Sequence, residues 1–149
     1  MATRDGSANW TGDVRTGTGS VTVGHDAWTG RYSWSRFGGV FEPEAETTDT
    51  NPEELLAAAH AACFSMALSL SLGESGHPPS RLETKARVHL RVVDGAPTIQ
   101  QIDLDTVGTV PGLDYNAFRE HAEQAKTSCI ITRALRGVDT IDLTTSLAP

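Results

Sequence analysis

The stretch Thr50–Gly73, TNPEELLAAAHAACFSMALSLSLG, reads as one long helix, and the rest of the chain is organised around it. Asn51 is a good N-cap, Pro52 suits the first helical position, and Glu54 falls where a capping-box carboxylate sits. Glu53 and Glu54 complement the positive end of the helix dipole. The residues that follow, from Leu55 to Leu72, are apolar or small on nearly every side. A helix of that kind is expected to be buried on most of its surface rather than along one stripe. In its middle sits Cys63, one of only two cysteines; the other is Cys129.

Working back toward the N-terminus, residues 1–8 are expected to be loose, and strands begin near Trp10. Thr16–Gly19 and His25–Gly30 read as turns, with weak alternation from Ser20 to Val23 and clearer alternation over Arg31–Phe37. Gly38–Asp49 is expected to be a loop leading into the helix. On the C-terminal side, Gly73–Ser80 is a break. Arg81–Val93 is the best strand pattern in the chain, with Leu82, Thr84, Ala86, Val88, Leu90 and Val92 on one face. Asp94–Pro97 turns it into a partner strand that carries Ile102 and Leu104 and runs to Val110, making a hairpin with one solvated side. Asp114 caps a second helix, about Tyr115–Lys126; Thr127–Leu135 holds Cys129 and starts a short third helix; Val138–Leu147 is a final strand. The order of elements predicts one α+β domain over residues 1–149.

Composition excludes several function classes. Nineteen acidic residues against twelve Lys and Arg give a net charge of −7, which argues against nucleic acid as a partner. Met1–Thr18 has no apolar signal-peptide core. The long helix carries His60 and several serines and has no flanking anchor charges, so it reads as buried in protein, not in a membrane. Two cysteines in such a chain suggest a cytoplasmic protein, where a disulfide is more often catalytic or redox-sensing than structural. No zinc-type Cys/His spacing and no phosphate-binding glycine motif is present.

The residues themselves leave alternatives open. Cys63 is either a small buried hydrophobe or a nucleophilic thiol. It lies too far into its helix for that helix's N-terminus to activate it, so a thiolate there needs a cation or histidine from elsewhere. His60, three residues earlier, is either such a group or a satisfied core histidine. Arg36, between Trp34 and Gly38, is either a surface arginine lying on an aromatic ring or that cation, with Arg15 and Arg31 as substitutes. Glu53 can be simply a first-turn carboxylate. Whether Cys63 and Cys129 meet is not decided by sequence, because disulfide geometry is strict.

The run Asn51–Ser69, NPEELLAAAHAACFSMALS, resembles the signature helix of the OsmC/Ohr family of cysteine-dependent hydroperoxide reductases, and is closer to the OsmC branch. Trp10-Thr11-Gly12-Asp13, Ser35-Arg36-Phe37, and a late Cys129 followed by Thr132-Arg133-Ala134-Leu135 agree with it in order, so the resemblance covers nearly the whole chain. One departure is Ile130, where family members commonly have proline after the second cysteine. The resemblance implies an OsmC-like α+β fold with N-terminal and C-terminal antiparallel strands packed on a long buried central helix, in an intertwined homodimer. It implies that Cys63 is the peroxidatic cysteine, that Cys129 resolves its sulfenic acid as an intramolecular disulfide, that Arg36 stabilises the thiolate, and that Glu53 holds Arg36. It implies an organic hydroperoxide as substrate, a lipoyl-type dithiol as reductant, and no haem, flavin or metal. Trp34, Phe37, Phe64, Met66 and Phe118 are candidates to line an apolar pocket, or plain core. The alternative on the same fold is a non-catalytic thiol redox sensor or ligand-binding domain. Glu53 and Cys63 are ten residues apart, about 15 Å along a straight helix and on different faces, so either the chain bends sharply or residues of a second subunit complete the site, as the resemblance also implies.

Overall fold

The computed structural model describes residues 1–34 and 48–149. They form two compact units, Met1–Leu55 and Leu56–Pro149. The first holds an antiparallel sheet of β1 (Gly6–Thr11), β2 (Thr18–Val23) and β3 (Trp28–Tyr32), in that order. Pairing starts at Gly6, opposite Val23, so part of the N-terminus expected to be loose is strand. The β2–β3 turn is also tighter than its composition suggests. It is made by Gly24 and Asp26, both at positive φ, while Gly30 belongs to β3. The Trp28 ring lies over Gly30, where a Cβ would meet it at 2.2 Å, so this glycine serves close packing and not a turn. Trp10 and Tyr32 pack at 5.4 Å between ring centroids across the sheet.

The long helix, α1 (Pro52–Glu74), begins on this first unit. Thr50 pairs with Tyr32 in a single bridge, its N–H bonded to the Arg31 carbonyl at 2.9 Å. Asn51 Oδ1 then accepts the Glu54 N–H at 2.7 Å, the expected N-cap, while the Glu54 carboxylate accepts from the Thr50 hydroxyl at 2.8 Å.

The second unit contains β4 (Arg81–Val93), β5 (Ala96–Thr109), α2 (Tyr115–Ser128), α3 (Ile130–Ala134) and β6 (Thr140–Leu147). Strands β4 and β5 form the expected antiparallel hairpin, with a register shift between His89 and Leu90. Beyond that bulge Val92 turns outward, which breaks the even alternation read from sequence. Strand β6 is not antiparallel. It pairs parallel to β5, Ile102 opposite Ile141 and Leu104 opposite Leu143, because α2 and α3 carry the chain back before it re-enters the sheet. The solvated face holds a charged cluster in which Asp103 accepts from Gln101 and His89, each at 2.7 Å, and these bonds hold its carboxyl below the usual range.

The core lies between that sheet and the helices. Phe64, Leu68 and Leu72, four residues apart on α1, pack with Leu104, Val110, Phe118, Ala122, Ala125 and Cys129. Three polar links fasten the same helix: His60 Nε2 to Thr132 Oγ1 at 2.8 Å, the Ser65 hydroxyl to Thr84 Oγ1 at 2.8 Å, and Ser71 Oγ to His121 Nδ1 at 2.8 Å. The opposite side of α1 is uncovered among the described residues. Met66 is 74% and Leu70 63% exposed, with Ala59, Ala62, Ser69 and Gly73 on the same side. The burial expected nearly all round this helix is therefore not supplied by the described part of one chain, and its length and apolarity would suffice to cross a membrane.

Candidate functional site

The two cysteines, far apart in sequence, meet in the second unit. Cys63 is the twelfth residue of α1 and packs against the core cluster that includes Cys129. Cys129 is 1% exposed and lies at the junction of α2 and α3, its N–H bonded to the Ala125 carbonyl at 2.8 Å. It is at once the C-cap of α2 and the N-cap of α3. The Cys63 thiol is a neighbour of the Cys129 sulfur in this cluster. Burial, first, and that neighbour push the Cys129 thiol up; the backbone N–H groups of Thr132 and Ile131 and the Thr132 side chain act against it. Cys129 is thus held as a protonated thiol at neutral pH, with groups beside it that ease its ionisation. Both cysteines are free thiols.

His60 is fully buried. It does not stand as an isolated core histidine: Nε2 is bonded to Thr132, three residues past Cys129, while Nδ1 has no hydrogen-bond partner among the described residues. Burial without a charge partner pulls its pKa down, so the imidazole is neutral. Thr132 is the site residue that sequence reading passed over. Its signal was position alone, the third residue of the short helix that Cys129 caps.

Glu53 lies in the first turn of α1, and its Oε2 is buried with no hydrogen-bond partner among the described residues. Arg36 lies outside the described residues. Of its substitutes, Arg31 is ion-paired with Asp49 at 3.4 Å, and Arg15 lies in a turn pinned by Asp13, whose Oδ1 accepts the Arg15 and Thr16 N–H groups. Phe64 and Phe118 are core, and Met66 is on the uncovered side of α1. Trp34 lines a cavity of about 550 Å³ in the first unit with Trp10, Val14, Tyr32 and Pro52, and Phe37 lies outside the described residues. Ile130, the departure after the second cysteine, is exposed and starts α3. Among the described residues no group of His, Cys, Asp and Glu is arranged to hold a metal ion.

Comparison with known proteins identifies the family. Residues 45–144 match the model of the OsmC-like protein family. The chain is 40% identical over 139 residues to peroxiredoxin OsmC of Escherichia coli, covering 93% of this chain and 94% of that one. It is 32% identical over 89 residues to organic hydroperoxide resistance protein-like 2 of Staphylococcus epidermidis, covering 60% of this chain and 62% of that one. The crystal structure of an organic hydroperoxide resistance protein from Elizabethkingia anophelis superposes with a TM-score of 0.74 at 22% identity, over 99% of this chain and 96% of that one. The chain belongs to the OsmC-like protein family.

Proposed function

We propose that this protein is a thiol-dependent peroxidase that reduces organic hydroperoxides through a two-thiol cycle and is recycled by a dithiol reductant. The observation that carries this reading is the approach of the chain's two thiols, Cys63 and Cys129, inside one core. The similarity to proteins named peroxiredoxin and organic hydroperoxide resistance protein supports it.

In the proposed cycle the Cys63 thiolate attacks the O–O bond of the hydroperoxide. The S–O bond forms, the O–O bond breaks, and the alcohol leaves after taking up a proton, so that Cys63 becomes a sulfenic acid. Cys129 then attacks the Cys63 sulfur; the S–S bond forms and the hydroxyl departs with the Cys129 proton as water. A lipoyl-type dithiol reduces the disulfide by exchange and is itself oxidised to its cyclic disulfide. The buried, protonated state of Cys129 suits the resolving role, since it reacts only after an electrophilic sulfur has formed beside it. Arg36 is proposed as the cation beside the Cys63 thiolate and Glu53 as the carboxylate that holds Arg36; the orphan buried Oε2 of Glu53 is the kind of atom that calls for a cation.

The proposed assembly is a homodimer, in the cytoplasm, with no nucleic-acid or membrane partner. The uncovered apolar side of α1 supports a second protein surface there, and the net charge of −7 argues against nucleic acid. The test is steady-state peroxide consumption with hydrogen peroxide and an alkyl hydroperoxide, supplying dihydrolipoamide and thioredoxin in turn. Turnover faster with the alkyl substrate and with dihydrolipoamide is expected. A single stoichiometric oxidation without turnover would leave a redox sensor as the function.

A further inference from the structure

The mechanism above uses the cysteines but leaves unexplained why a fully buried histidine stands three residues before one and bonds to a threonine three residues after the other. We propose that His60 and Thr132 are positioning residues for Cys129: the imidazole donates Nε2–H to the Thr132 hydroxyl and so turns that hydroxyl's own proton toward the Cys129 sulfur.

The direction of this chain follows from the orphan nitrogen. His60 is neutral, so one ring nitrogen carries a proton and the other does not. If Nδ1 carried it, a buried N–H donor would be left without an acceptor; if Nε2 carries it, the orphan is a lone pair. Orphaned buried N–H groups are the rarer of the two. With Nε2–H donating at 2.8 Å, the Thr132 oxygen is an acceptor toward His60, and its hydrogen is free to point elsewhere. The side chain of Thr132 lies beside the Cys129 sulfur, and so do the N–H groups of Ile131 and Thr132, without closing a full cap hydrogen bond. These N–H groups occupy the second and third positions after an N-cap, where they face the cap side chain.

Among the described residues, the titratable groups facing Cys129 are few. From α1 come the Cys63 thiol and, one hydrogen bond further, the His60 imidazole. From α2 the nearest cation in sequence, Lys126, is turned to the Ile141 carbonyl at 3.0 Å and to Glu123 at 3.6 Å. The hydroxyl and the two backbone N–H groups are therefore what offsets burial when Cys129 gives up its proton. This matters in one step. When Cys129 attacks the Cys63 sulfenic acid, its S–H bond breaks, the S–S bond forms, and the proton leaves with the hydroxyl as water. The same hydroxyl stabilises Cys129 as the leaving thiolate when the dithiol attacks Cys63 of the disulfide.

The inference rests on the peroxidase reading, but its test is separable from it. In a Cys63→Ser background only Cys129 can give the thiolate absorbance near 240 nm. Its titration midpoint should move up by about one pH unit in Thr132→Val and in His60→Leu, the size expected for one hydrogen bond to a charged group. Thr132→Ser and His60→Gln, which keep the donors, should restore it. With both cysteines present and one equivalent of peroxide, Thr132→Val should form the Cys63 sulfenic acid at the parental rate but close the disulfide about tenfold more slowly at pH 7, so dimedone labelling of Cys63 rises. An unchanged midpoint in folded Thr132→Val, or a disulfide that closes at the parental rate, overturns the proposal. Should His60→Leu not fold, the near-isosteric Thr132→Val decides alone. Shifted midpoints without peroxide turnover would sink only the peroxidase reading, and normal turnover with unshifted midpoints only this one.

Discussion

Cys129 is buried against Cys63, and of the two only Cys129 is also the N-cap of a helix. In the proposed cycle the deeper burial of Cys129, which keeps it protonated, suits it to the resolving role, and this yields the first prediction. Cys63→Ser should reduce peroxide turnover to background. Cys129→Ser should consume one equivalent of peroxide and then stall, with Cys63 advancing to sulfinic acid under excess oxidant. Mass spectrometry of each cysteine after graded peroxide checks this; Cys129 over-oxidising while Cys63 stays untouched would reverse the roles.

Glu53 gives the second. Its buried Oε2 lacks a hydrogen-bond partner among the described residues, and the proposed occupant is the Arg36 guanidinium. Arg36→Ala should slow oxidation of Cys63 by tenfold or more at neutral pH, about the loss of one charge-assisted hydrogen bond. Glu53→Gln should slow it less, because the arginine remains. Stopped-flow oxidation of Cys63 is the measurement. A wild-type rate in Arg36→Ala together with a slow Arg15→Ala would transfer the role to Arg15.

The third concerns the frame that brings the cysteines together. A Cβ on Gly108 of β5 would stand 2.4 Å from Cε2 of Phe118, a fully buried ring of α2. The glycine is there for close approach, not for a turn. Gly108→Ala should destabilise the fold by about 1–3 kcal/mol, the usual cost of overpacking, read from urea unfolding. Phe118→Leu in the same chain should recover part of that loss; strict additivity of the two costs would refute the contact as its origin.

The fourth is a pH dependence. His60 is buried neutral with its pKa lowered, so below about pH 6.5 the unfolded chain takes up a proton that the folded chain refuses. Stability from this group is complete above that pH and is lost as pH falls toward the folded value. The melting temperature should therefore drop more steeply between pH 7 and 5 in the wild type than in His60→Gln. Parallel curves would mean that the imidazole charges in place. Cys129 acts at the other end: its raised pKa favours the folded state while it is protonated, so stability should decline as pH rises past the ordinary thiol value.

Much of this was legible beforehand where a pattern had a single physical reading. Asn51 caps α1 as its sequence says, and Asp114 caps α2, accepting the Ala117 N–H at 3.0 Å. The alternation of Arg81–Val93 is a strand until the bulge at His89 and Leu90, which no residue type announces. Where one residue type serves two ends, sequence misled: Gly30 accommodates the Trp28 ring inside a strand, and the turn lies earlier. Strand direction for β6 depends on the path of α2 and α3, which periodicity does not encode. At the site, cysteine scarcity singled out both thiols. Thr132 stayed hidden because a threonine beside a cysteine is ordinary until a buried histidine from another helix is found bonded to it.

The last prediction is the assembly. On α1, His60, Phe64, Leu68 and Leu72 form the buried side, while Ala59, Ala62, Met66, Ser69, Leu70 and Gly73 lie on the opposite one. An exposed run of this kind, with a cavity of about 610 Å³ between Met66, Leu70, Glu74 and Pro78, leaves apolar surface in water that a second copy would remove. Its small residues would let two helices approach closely, and a two-fold axis would use the same surface twice. Light scattering at low micromolar concentration should therefore report a dimer. Met66→Arg with Leu70→Glu should yield monomers, because each substitution would bury a charge at the interface. The sharper measurement mixes Cys63→Ser and Arg36→Ala chains, each inactive alone. If the cation and the thiol of one site come from different subunits, mixed dimers recover one working site in two. If both come from the same chain, mixing recovers nothing, and a fully active monomer of the double variant would remove the dimer from the mechanism altogether.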